Sequence, residues 1–474
     1  MESKDSSARA INLAKTTKDM TKGSPWKLIT AFALPTLLSQ VFQQLYNTAD
    51  TLIVGRTLGT NALAAVSASG TLIFLMISFF VGTTMGAGIT ISRYFGAKDY
   101  EMVSKAVHTN VAIGLISGVA LTVGGMLLTP TLLKWMNTDP EYMEDAVAYF
   151  RYYFAGGVAI IMYNTFKSIM NALGDSKRPL YYLIFSSVLN VLLDLLFIAV
   201  FHWGVWSAAV ATTISQAASC LLCLVQLCKK GTVYQLKLKK LKIDLPILKE
   251  IIRYGLPAGI QNSVIAIANV IVQGNINTFK KVATAAYGTY AKIEGFAFLP
   301  INSFTMAITT FVGQNLGAGE YERAKRGSRF GIITAVLMAE TIGLIIWLFA
   351  PTLIRFFVND EPEIVAKVVQ LGTDQARIEA FFYCLLAFSH SVAAVCRGAG
   401  KAFVPMLVML GVWCVLRIAY IETVMHYFND IRFIYWAYPL TWGISSCLFL
   451  FYYLFSDWIH GFDKKKAKRF AREE

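Results

Sequence analysis

Residues 28–54 read LITAFALPTLLSQVFQQLYNTADTLIV, a long apolar run in which Asp50 is the single charged residue. About 20 predominantly apolar residues are enough to cross a bilayer as an α-helix, so this stretch predicts a membrane span. The rest of the chain has the same character, since its 474 residues are 56% hydrophobic and only 15% charged. Soluble domains average about 25% charged residues. The sequence therefore predicts a polytopic membrane protein and excludes a soluble fold.

Twelve apolar runs, bounded by charges, glycine or proline, predict twelve transmembrane helices. The expected fold class is an all-α polytopic membrane protein whose twelve helices form two six-helix, pseudo-symmetric lobes. The predicted spans are 28–54, 62–92, 103–128, 146–172, 179–202, 204–228, 249–276, 284–313, 327–353, 371–398, 403–428 and 432–460.

Basic residues give the chain a net charge of +14, and nearly all of them lie between the apolar runs. They concentrate in alternate connections and in both tails, which by the positive-inside rule predicts an inner (plasma) membrane protein with both termini in the cytoplasm. This placement favours contact with membrane lipids and argues against nucleic-acid binding. The predicted divisions are a polar tail 1–27, an amino-terminal lobe 28–228, a basic interlobe loop 229–248, a carboxy-terminal lobe 249–460 and a basic tail 461–474.

Short motifs recur in the same order in the two halves of the chain. Because each half holds six spans, the two copies have the same orientation and are related by an axis along the membrane normal, with a cavity between them. That arrangement is typical of secondary transporters. The matched motifs are Gly96-Ala97 with Gly317-Ala318, Tyr100-Glu101 with Tyr321-Glu322, Leu34-Pro35 with Leu256-Pro257, and Gly174 and Pro179 with Gly400 and Pro405.

Nucleotide and metal motifs are missing from the sequence. The nearest approach to a phosphate-binding loop ends at Lys401, but Val395 stands where the motif needs its first glycine and Ala402 replaces its Ser or Thr. The five histidines lack metal-ligand spacing. An ATP-driven pump, a membrane enzyme and a receptor are therefore disfavoured. No cofactor is expected, and the energy for transport should come from an ion gradient.

Two aspartates inside predicted spans are the first candidate site, because a charged side chain at mid-membrane costs roughly 2.5–3.5 kcal/mol on insertion scales. Asp194 shares a helix face with Asn190, and Asp50 shares one with Gln43 and Asn47. We expect both faces to line one polar pocket in the outer half of the membrane. Such a carboxylate pair can share a proton or bind Na⁺ through oxygen atoms. Buried aspartates that serve packing alone are the alternative.

Pro35 lies inside the first predicted span, 15 residues before Asp50. Proline cannot donate to the helix ladder and bends helices. A bend here predicts a hinge that links ion binding to helix position, and a purely structural kink is the alternative.

The second half has no copy of the aspartate pair, since the repeat aligns Asp50 with Val272 and Asp194 with Tyr420. Its own intramembrane charges are expected to pair, as Arg417 would with a facing glutamate, or to contact substrate. The candidates are Lys292, Glu294, Glu340, Glu379 and Arg417.

The sequence resembles the multidrug and toxic compound extrusion (MATE) transporters, of the multidrug/oligosaccharidyl-lipid/polysaccharide flippase superfamily. The resemblance runs from Pro35 to about Trp458. Its carriers are LPTLLSQVFQQLYNTADTLIVGRTLG, RYFGAKD, NALGDSKRP, SSVLNVLLDLLFI, FVGQNLGAGE and CRGAGKAFVP. The resemblance implies export of organic cations or other amphipathic compounds by antiport with H⁺ or Na⁺, through rocking of the two lobes.

The resemblance also implies site residues. The amino-lobe cation-binding cluster of the DNA-damage-inducible-type branch is matched by Asp50, Gln43, Asn190 and Asp194. The resemblance makes Asp50, Asp194 and Asn190 candidate ligands of Na⁺. Pro35 matches the proline at which the first span bends in that branch. Tyr163 and Asn164 fall near further polar contributors. Of the carboxy-lobe carboxylates that other branches use, Glu294 is the nearest match.

A lipid-linked or polyprenyl intermediate flippase of the same fold is the rival interpretation. It would favour a large cationic cavity for pyrophosphate, and only Lys167, Lys292 and Arg417 lie deep in the predicted spans. The leading prediction is therefore a cation-coupled antiporter for small organic cations, working as a monomer.

Overall fold

The computed structural model describes residues 18–135, 138–232, 234–358, 361–428 and 430–462. Most of the predicted amino and carboxyl tails, residues 1–17 and 463–474, lies outside the described residues. Within the described ranges the secondary structure is helical, with short connections and no strand.

Twelve helical spans follow one another in the described part of the chain, which confirms the predicted all-α, twelve-helix fold. They are α1 (Pro25–Leu58), α2 (Thr60–Gly96), α3 (Tyr100–Trp135), α4 (Pro140–Ala155 with Gly157–Ala172), α5 (Lys177–Val200), α6 (Trp206–Leu227), α7 (Leu245–Asn277), α8 (Lys280–Gly317), α9 (Tyr321–Phe356), α10 (Pro362–Gly398), α11 (Phe403–Tyr427) and α12 (Arg432–Phe455).

Among the described residues, length and hydropathy together qualify eleven of these helices as membrane spans, when the bent α4 is taken as one span. Ten are long and apolar enough to cross a membrane, and α4 becomes an eleventh when its two segments, bent by 48°, are taken as one span. The remaining helix, α2, has 37 residues, well above the roughly 20 that a bilayer needs. Most helices extend beyond the predicted apolar runs, because their polar ends continue past the hydrocarbon layer.

Matching positions of the two halves end their helices in the same way. Gly174 after α4 and Gly400 after α10 have positive φ angles of +81° and +73°. The next N–H bonds back to a carbonyl of the last helical turn, at 3.0 and 2.8 Å. Lys98 after α2 and Gly319 after α8 repeat this arrangement with φ +59° and +78°. Glycine suits this left-handed position because it has no Cβ.

The described residues divide into two compact units, and two of the boundaries between them fall inside helices. The first unit comprises 18–20 and Leu34–Gly259, and the second comprises Thr21–Ala33 and the described residues from 260 to 462. Both internal boundaries lie within two residues or so of the repeated prolines, Pro35 in α1 and Pro257 in α7. The first part of α7 therefore belongs to the first unit.

Glycines bring helices of the first unit into backbone contact. A Cβ on Gly82 of α2 would collide with the backbone of Gly259 of α7, and one on Gly86 would collide with that of Gly255. On α3, a Cβ at Gly118 would lie 2.9 Å from the Cα of Val158. Small residues four apart allow this close approach of helices in membranes. Larger side chains at these positions would push the helices apart.

Candidate functional site

Two aspartates from different helices meet in the interior of the first unit. Asp50 lies on α1 and Asp194 on α5, with 8% and 0% of their surfaces exposed. Their carboxyl groups are within hydrogen-bonding reach of each other. Among the described residues, no donor group bonds to either oxygen of Asp194 or to Oδ1 of Asp50. Two carboxylates this close repel each other unless a proton or another cation lies between them.

The hydrogen-bonding pattern of α5 changes at the aspartate. The α-helical part ends at Asp194 and a π-helical segment, Leu195–Val200, follows. π turns are rare and occur frequently at functional sites. One turn before the aspartate, buried Asn190 donates from Nδ2 to Thr212 Oγ1 of α6 at 3.4 Å. Its Oδ1 has no donor in the described part of the chain, so it remains available as a ligand.

Tyr46 connects the aspartates to a polar chain across α1 and α6. It lies one turn before Asp50, and its hydroxyl accepts a hydrogen bond from Gln216 Nε2 of α6 at 3.4 Å. Tyr46 also forms a side-chain hydrogen bond with Gln43, three residues earlier on α1. Gln43 therefore joins the site through this tyrosine. We call Asp50, Asp194, Asn190 and Tyr46 the amino cluster.

The α4 helix contributes two further tyrosines. Tyr149 is buried and close enough to interact electrostatically with both aspartates, and Tyr153, one turn later, interacts with Asp50. Sequence reasoning missed Tyr46 and both of these residues. The available signal was spacing, since Tyr46 and Asp50 are four residues apart, as are the two tyrosines on α4.

The remaining amino-half predictions have different surroundings. Asn47 is exposed, because the buried face of α1 is centred between Tyr46 and Asp50 and leaves Asn47 at its edge. The Asn164 amide donates to the Ile160 carbonyl of its own helix at 2.9 Å. Tyr163 is 3% exposed and interacts with Tyr46. The structure thus brings Tyr163 next to the amino cluster and gives Asn164 a partner within α4.

Pro35 lies within a continuous α1. The helix runs from Pro25 to Leu58 without a break, and the Ser39 hydroxyl donates to the Pro35 carbonyl at 2.9 Å. That carbonyl is thereby supplied with a donor beyond the helix ladder. The hinge at Pro35 stays a prediction.

A second set of buried charges lies in the second unit. Glu379 of α10 is fully buried, and its Oε1 accepts a hydrogen bond from Gln375 Nε2 at 2.9 Å. Its Oε2 has no donor among the described residues. Glu294 of α8 and Arg417 of α11 are close enough to interact with it electrostatically. We call Glu294, Glu379 and Arg417 the carboxy cluster.

Arg417 is held by hydroxyl and aromatic groups of α12. Its Nη2 and Nε donate to Thr441 Oγ1 at 2.9 and 3.3 Å, and its guanidinium lies 4.3 Å from the ring centre of Tyr438. Among the described residues, no ion pair within 4.0 Å joins Arg417 to an acidic group. The predicted pairing with a facing glutamate is therefore electrostatic, across a gap, and not a contact ion pair.

Two other predicted charges lie outside the carboxy cluster. Lys292 is exposed on α8, two residues from Glu294 and so on a different helix face. Glu340 of α9 accepts a hydrogen bond at Oε2 from the Cys384 N–H at 3.0 Å. Cys384 is in the first turn of the helical segment that follows the break in α10. Glu340 thus caps a helix end, a role that differs from the expected charge pairing.

The oxygen atoms of the amino cluster suit a hard cation. Asp50, Asp194 and Asn190 all present oxygen atoms without a donor, and ions of this class prefer carboxylate and amide oxygens. In the residues that the structure describes, no group of three or more His, Cys, Asp or Glu is arranged to hold a metal. The donor set fits Na⁺, and a shared proton would satisfy the same two carboxylates.

Comparison with known proteins identifies the family. The model of the MatE family matches the chain twice, over residues 35–196 and 257–421. The chain belongs to the MatE family. Both matches begin at the repeated prolines, Pro35 and Pro257, and they cover the residues of both clusters. The resemblance inferred from the sequence is confirmed, and the chain is a multi-pass membrane transporter.

Individual relatives cover nearly the whole chain. The probable multidrug resistance protein YoeA of Bacillus subtilis is 29% identical over 93% of this chain and 96% of its own length. A MOP superfamily transporter from Pyrococcus furiosus has a similar structure, with a TM-score of 0.87 and 25% identity over 92% of this chain and 97% of its own. An outward-facing multidrug resistance MATE transporter of the MOP superfamily has a TM-score of 0.85, at 25% identity and the same coverage.

Proposed function

We propose that the chain is a secondary antiporter that exports small organic cations or amphipathic compounds in exchange for H⁺ or Na⁺. The observation that carries this proposal is the Asp50–Asp194 pair, whose buried carboxylates face each other with unsatisfied oxygens. The family membership and the relatives named for multidrug resistance support the export of drugs or metabolites.

Charge balance explains how this pair would couple ion and substrate movement. Among the described residues, no basic side chain contributes to the electrostatic surroundings of Asp50 or Asp194. An ionised carboxylate in a low-dielectric interior is costly unless it is paired. The pair would therefore take up a proton or Na⁺ from the side to which it is open and release it when the site opens to the other side. Opposite movement of a cationic substrate completes the exchange.

The experiment compares Asp50→Asn and Asp194→Asn with wild type in proteoliposomes under imposed H⁺ and Na⁺ gradients, with a cationic dye as substrate. Asparagine keeps the size of the side chain and removes its charge. Glu363→Gln is the matched control, because Glu363 is an exposed carboxylate paired with Lys367. We expect wild type and the control to move dye under one of the gradients and both aspartate variants to lose at least about tenfold in rate, or ~1.4 kcal/mol.

Two outcomes contradict the proposal. If both aspartate variants transport like wild type, the coupling site lies elsewhere. If wild type moves no dye under either gradient while a deletion strain accumulates lipid-linked intermediates, the flippase interpretation replaces it. The flippase interpretation would have to draw on Lys167, Lys292 and Arg417 for a pyrophosphate site, and of these Arg417 already donates to Thr441.

A further inference from the structure

The basic connection between α6 and α7 is folded against the first unit. Tyr234 and Leu236 are only 3% and 2% exposed. The Leu236 N–H donates to the Leu227 carbonyl at 2.8 Å, and Gln226 Nε2 donates to the Tyr234 hydroxyl at 3.3 Å. We call residues 234–244 the docked segment. A loop that serves only to set membrane topology would not need these buried contacts.

His108 of α3 holds the docked segment from the other side. Its ring is 6% exposed, and Nε2 lies 3.1 Å from the backbone nitrogen of Lys237. Nδ1 lies 2.7 Å from the Ser104 carbonyl oxygen and 3.5 Å from the Ser104 hydroxyl. Both ring nitrogens are therefore used, one toward α3 and one toward the docked segment.

These two partners determine the state of the ring. The Lys237 N–H can only donate, so Nε2 must offer a lone pair, and the Ser104 carbonyl can only accept, so Nδ1 must carry the hydrogen. This is one tautomer of the neutral imidazole. A protonated ring carries hydrogen on both nitrogens, so it would turn an N–H toward the N–H of Lys237. The bond to the docked segment exists only while His108 is neutral.

We propose that His108 is a pH switch that holds the docked segment at neutral pH and releases it when the ring is protonated. Histidine is the side chain that ordinarily changes charge between pH 5 and 8. The proposal concerns the fold of this connection and does not depend on which compound the protein exports.

Release of the docked segment would affect the start of α7. The Asp244 N–H, at the end of the docked segment, donates to Thr109 Oγ1 at 3.1 Å, next to His108. The Asp244 carboxylate in turn accepts from the Ile247 N–H at 3.1 Å and caps α7. A few residues further on, Glu250 of α7 accepts from the Tyr94 hydroxyl of α2 at 3.0 Å. Loss of the His108 bond removes one of the attachments that fix where α7 begins.

Other charged groups around the ring affect the switch. Lys105 lies on the same helix, three residues before His108, and forms an ion pair with Glu101 at 2.7 Å. The docked segment contributes Lys237, whose backbone N–H faces the ring, and Asp244 at the start of α7 is close enough to Lys105 to interact with it electrostatically.

Thermodynamic linkage between protonation of His108 and docking gives the direction of the pH effect. Because the docked state requires a neutral ring, the released state binds one more proton, so docking weakens as the pH falls. In the pH range where docking weakens, the loss of one bond that requires an unprotonated ring lowers the docking equilibrium constant by at most about tenfold per pH unit. Above that range docking should not depend on pH.

Hydrogen exchange of the full chain in lipid nanodiscs tests the proposal. Labelling times are scaled so that intrinsic exchange is equal at every pH between 5 and 8, and the protection of residues 234–244 is followed by mass spectrometry. In wild type, protection should fall as the pH is lowered. In His108→Gln, whose Oε1 can accept from the Lys237 N–H at any pH, protection should stay high. In His108→Lys, it should be low throughout.

His426→Gln is the matched control, because it removes an exposed histidine far from this connection in the sequence. It should keep the wild-type pH response. Constant protection of the docked segment in wild type from pH 5 to 8 would overturn the proposal. So would a full pH response in His108→Gln, since another group would then be the sensor. Exchange of α12 serves as the internal reference for global unfolding in each variant.

Discussion

The amino and carboxy clusters both place two carboxylates from different helices in a buried interior, but only one of them contains its own cation. Asp50 and Asp194 have no basic neighbour among the described residues, whereas Glu294 and Glu379 share their surroundings with Arg417. In the proposed mechanism the amino cluster therefore takes a cation from solution, whereas the carboxy cluster has a permanent one in Arg417. Under this proposal the two halves of the fold differ, with a cation-exchanging site in the first and a site that contains its own positive charge in the second.

A local backbone feature accompanies both clusters. A π-helical segment, Leu195–Val200, directly follows Asp194 in α5, and another, Leu410–Leu416, directly precedes Arg417 in α11. The π segments lie in corresponding helices of the two halves and adjoin residues of opposite charge. Both sites have a π-helical segment. In the proposed mechanism the charge of the adjacent side chain, Asp194 or Arg417, determines whether the site takes a cation from solution.

Removing Arg417, the positive charge of the carboxy cluster, should have the largest effect on the stability of the protein. Arg417→Met leaves the buried Glu379 and the half-buried Glu294 without a positive charge, and breaking a buried charge pair costs about 3–5 kcal/mol. We expect a marked fall in the melting temperature of the detergent-solubilised protein, measured by nanoscale fluorimetry.

Two further variants make that result interpretable. Arg377→Met is the matched control, because Arg377 is an exposed arginine over the ring of Trp347, and it should change the melting temperature little. The double variant Arg417→Met/Glu379→Gln should recover most of the loss, since it removes a negative charge as well. Equal stability of the two arginine variants would mean that Arg417 does not balance the glutamates.

Removing a carboxylate from the amino cluster should have the opposite pattern. Asp194→Asn relieves repulsion with Asp50, so the melting temperature should stay the same or rise while ion-driven transport falls by at least about tenfold, or ~1.4 kcal/mol. Both quantities are measured on the same purified preparation. A large loss of stability in Asp194→Asn would show that the pair is a structural element and would support the packing alternative.

A change in Tyr46 should alter ion dependence more gently. Tyr46→Phe removes the hydroxyl that bonds with Gln216, and a single hydrogen bond of this kind contributes about 1 kcal/mol. We expect the H⁺ or Na⁺ concentration for half-maximal transport to shift several-fold with little change in the maximal rate.

Tyr438→Phe is the counterpart in the second unit, because the Tyr438 hydroxyl bonds with that of Tyr287 at 2.8 Å. It should lower stability without moving the ion dependence. If both tyrosine variants shift the ion dependence alike, the carboxy cluster also takes part in ion coupling and the contrast between the clusters fails.

The sequence predicted what depends on local composition. Twelve spans follow from apolar runs, and the meeting of Asp50 with Asp194 could be inferred because polar faces on two otherwise apolar helices in the same half of the membrane are expected to line one pocket. Tyr46 and Tyr149 were missed because the chain has 22 tyrosines and their spacing alone does not separate site residues from packing. Asn47 shares a helical face with Asp50 in the sequence, and only the packing of α1 shows that its side chain is exposed.

In the second half, the sequence identified the charged residues but could not predict which of them are exposed and which are buried. Lys292, Glu340 and Glu379 are equally conspicuous in apolar runs, yet one is exposed, one caps a helix end and one is fully buried. Partner choice depends on helix rotation and on the break in α10, which no short motif encodes. Variants of Glu340 therefore give the most sensitive test of the difference between structural and functional carboxylates.

Glu340→Gln should have the smallest effect of all. The glutamine Oε1 can still accept from the Cys384 N–H, so the variant loses only the favourable interaction of a negative charge with a helix N-terminus, about 0.3–1 kcal/mol. The melting temperature should fall slightly, and the transport rate and its ion dependence should match wild type under both gradients. Glu340→Ala, which removes the acceptor and leaves a buried N–H unsatisfied, should cost about 1–3 kcal/mol. A loss of transport in Glu340→Gln that exceeds its loss of stability would assign this carboxylate to ion coupling, and the second unit would then contribute a titrating group of its own.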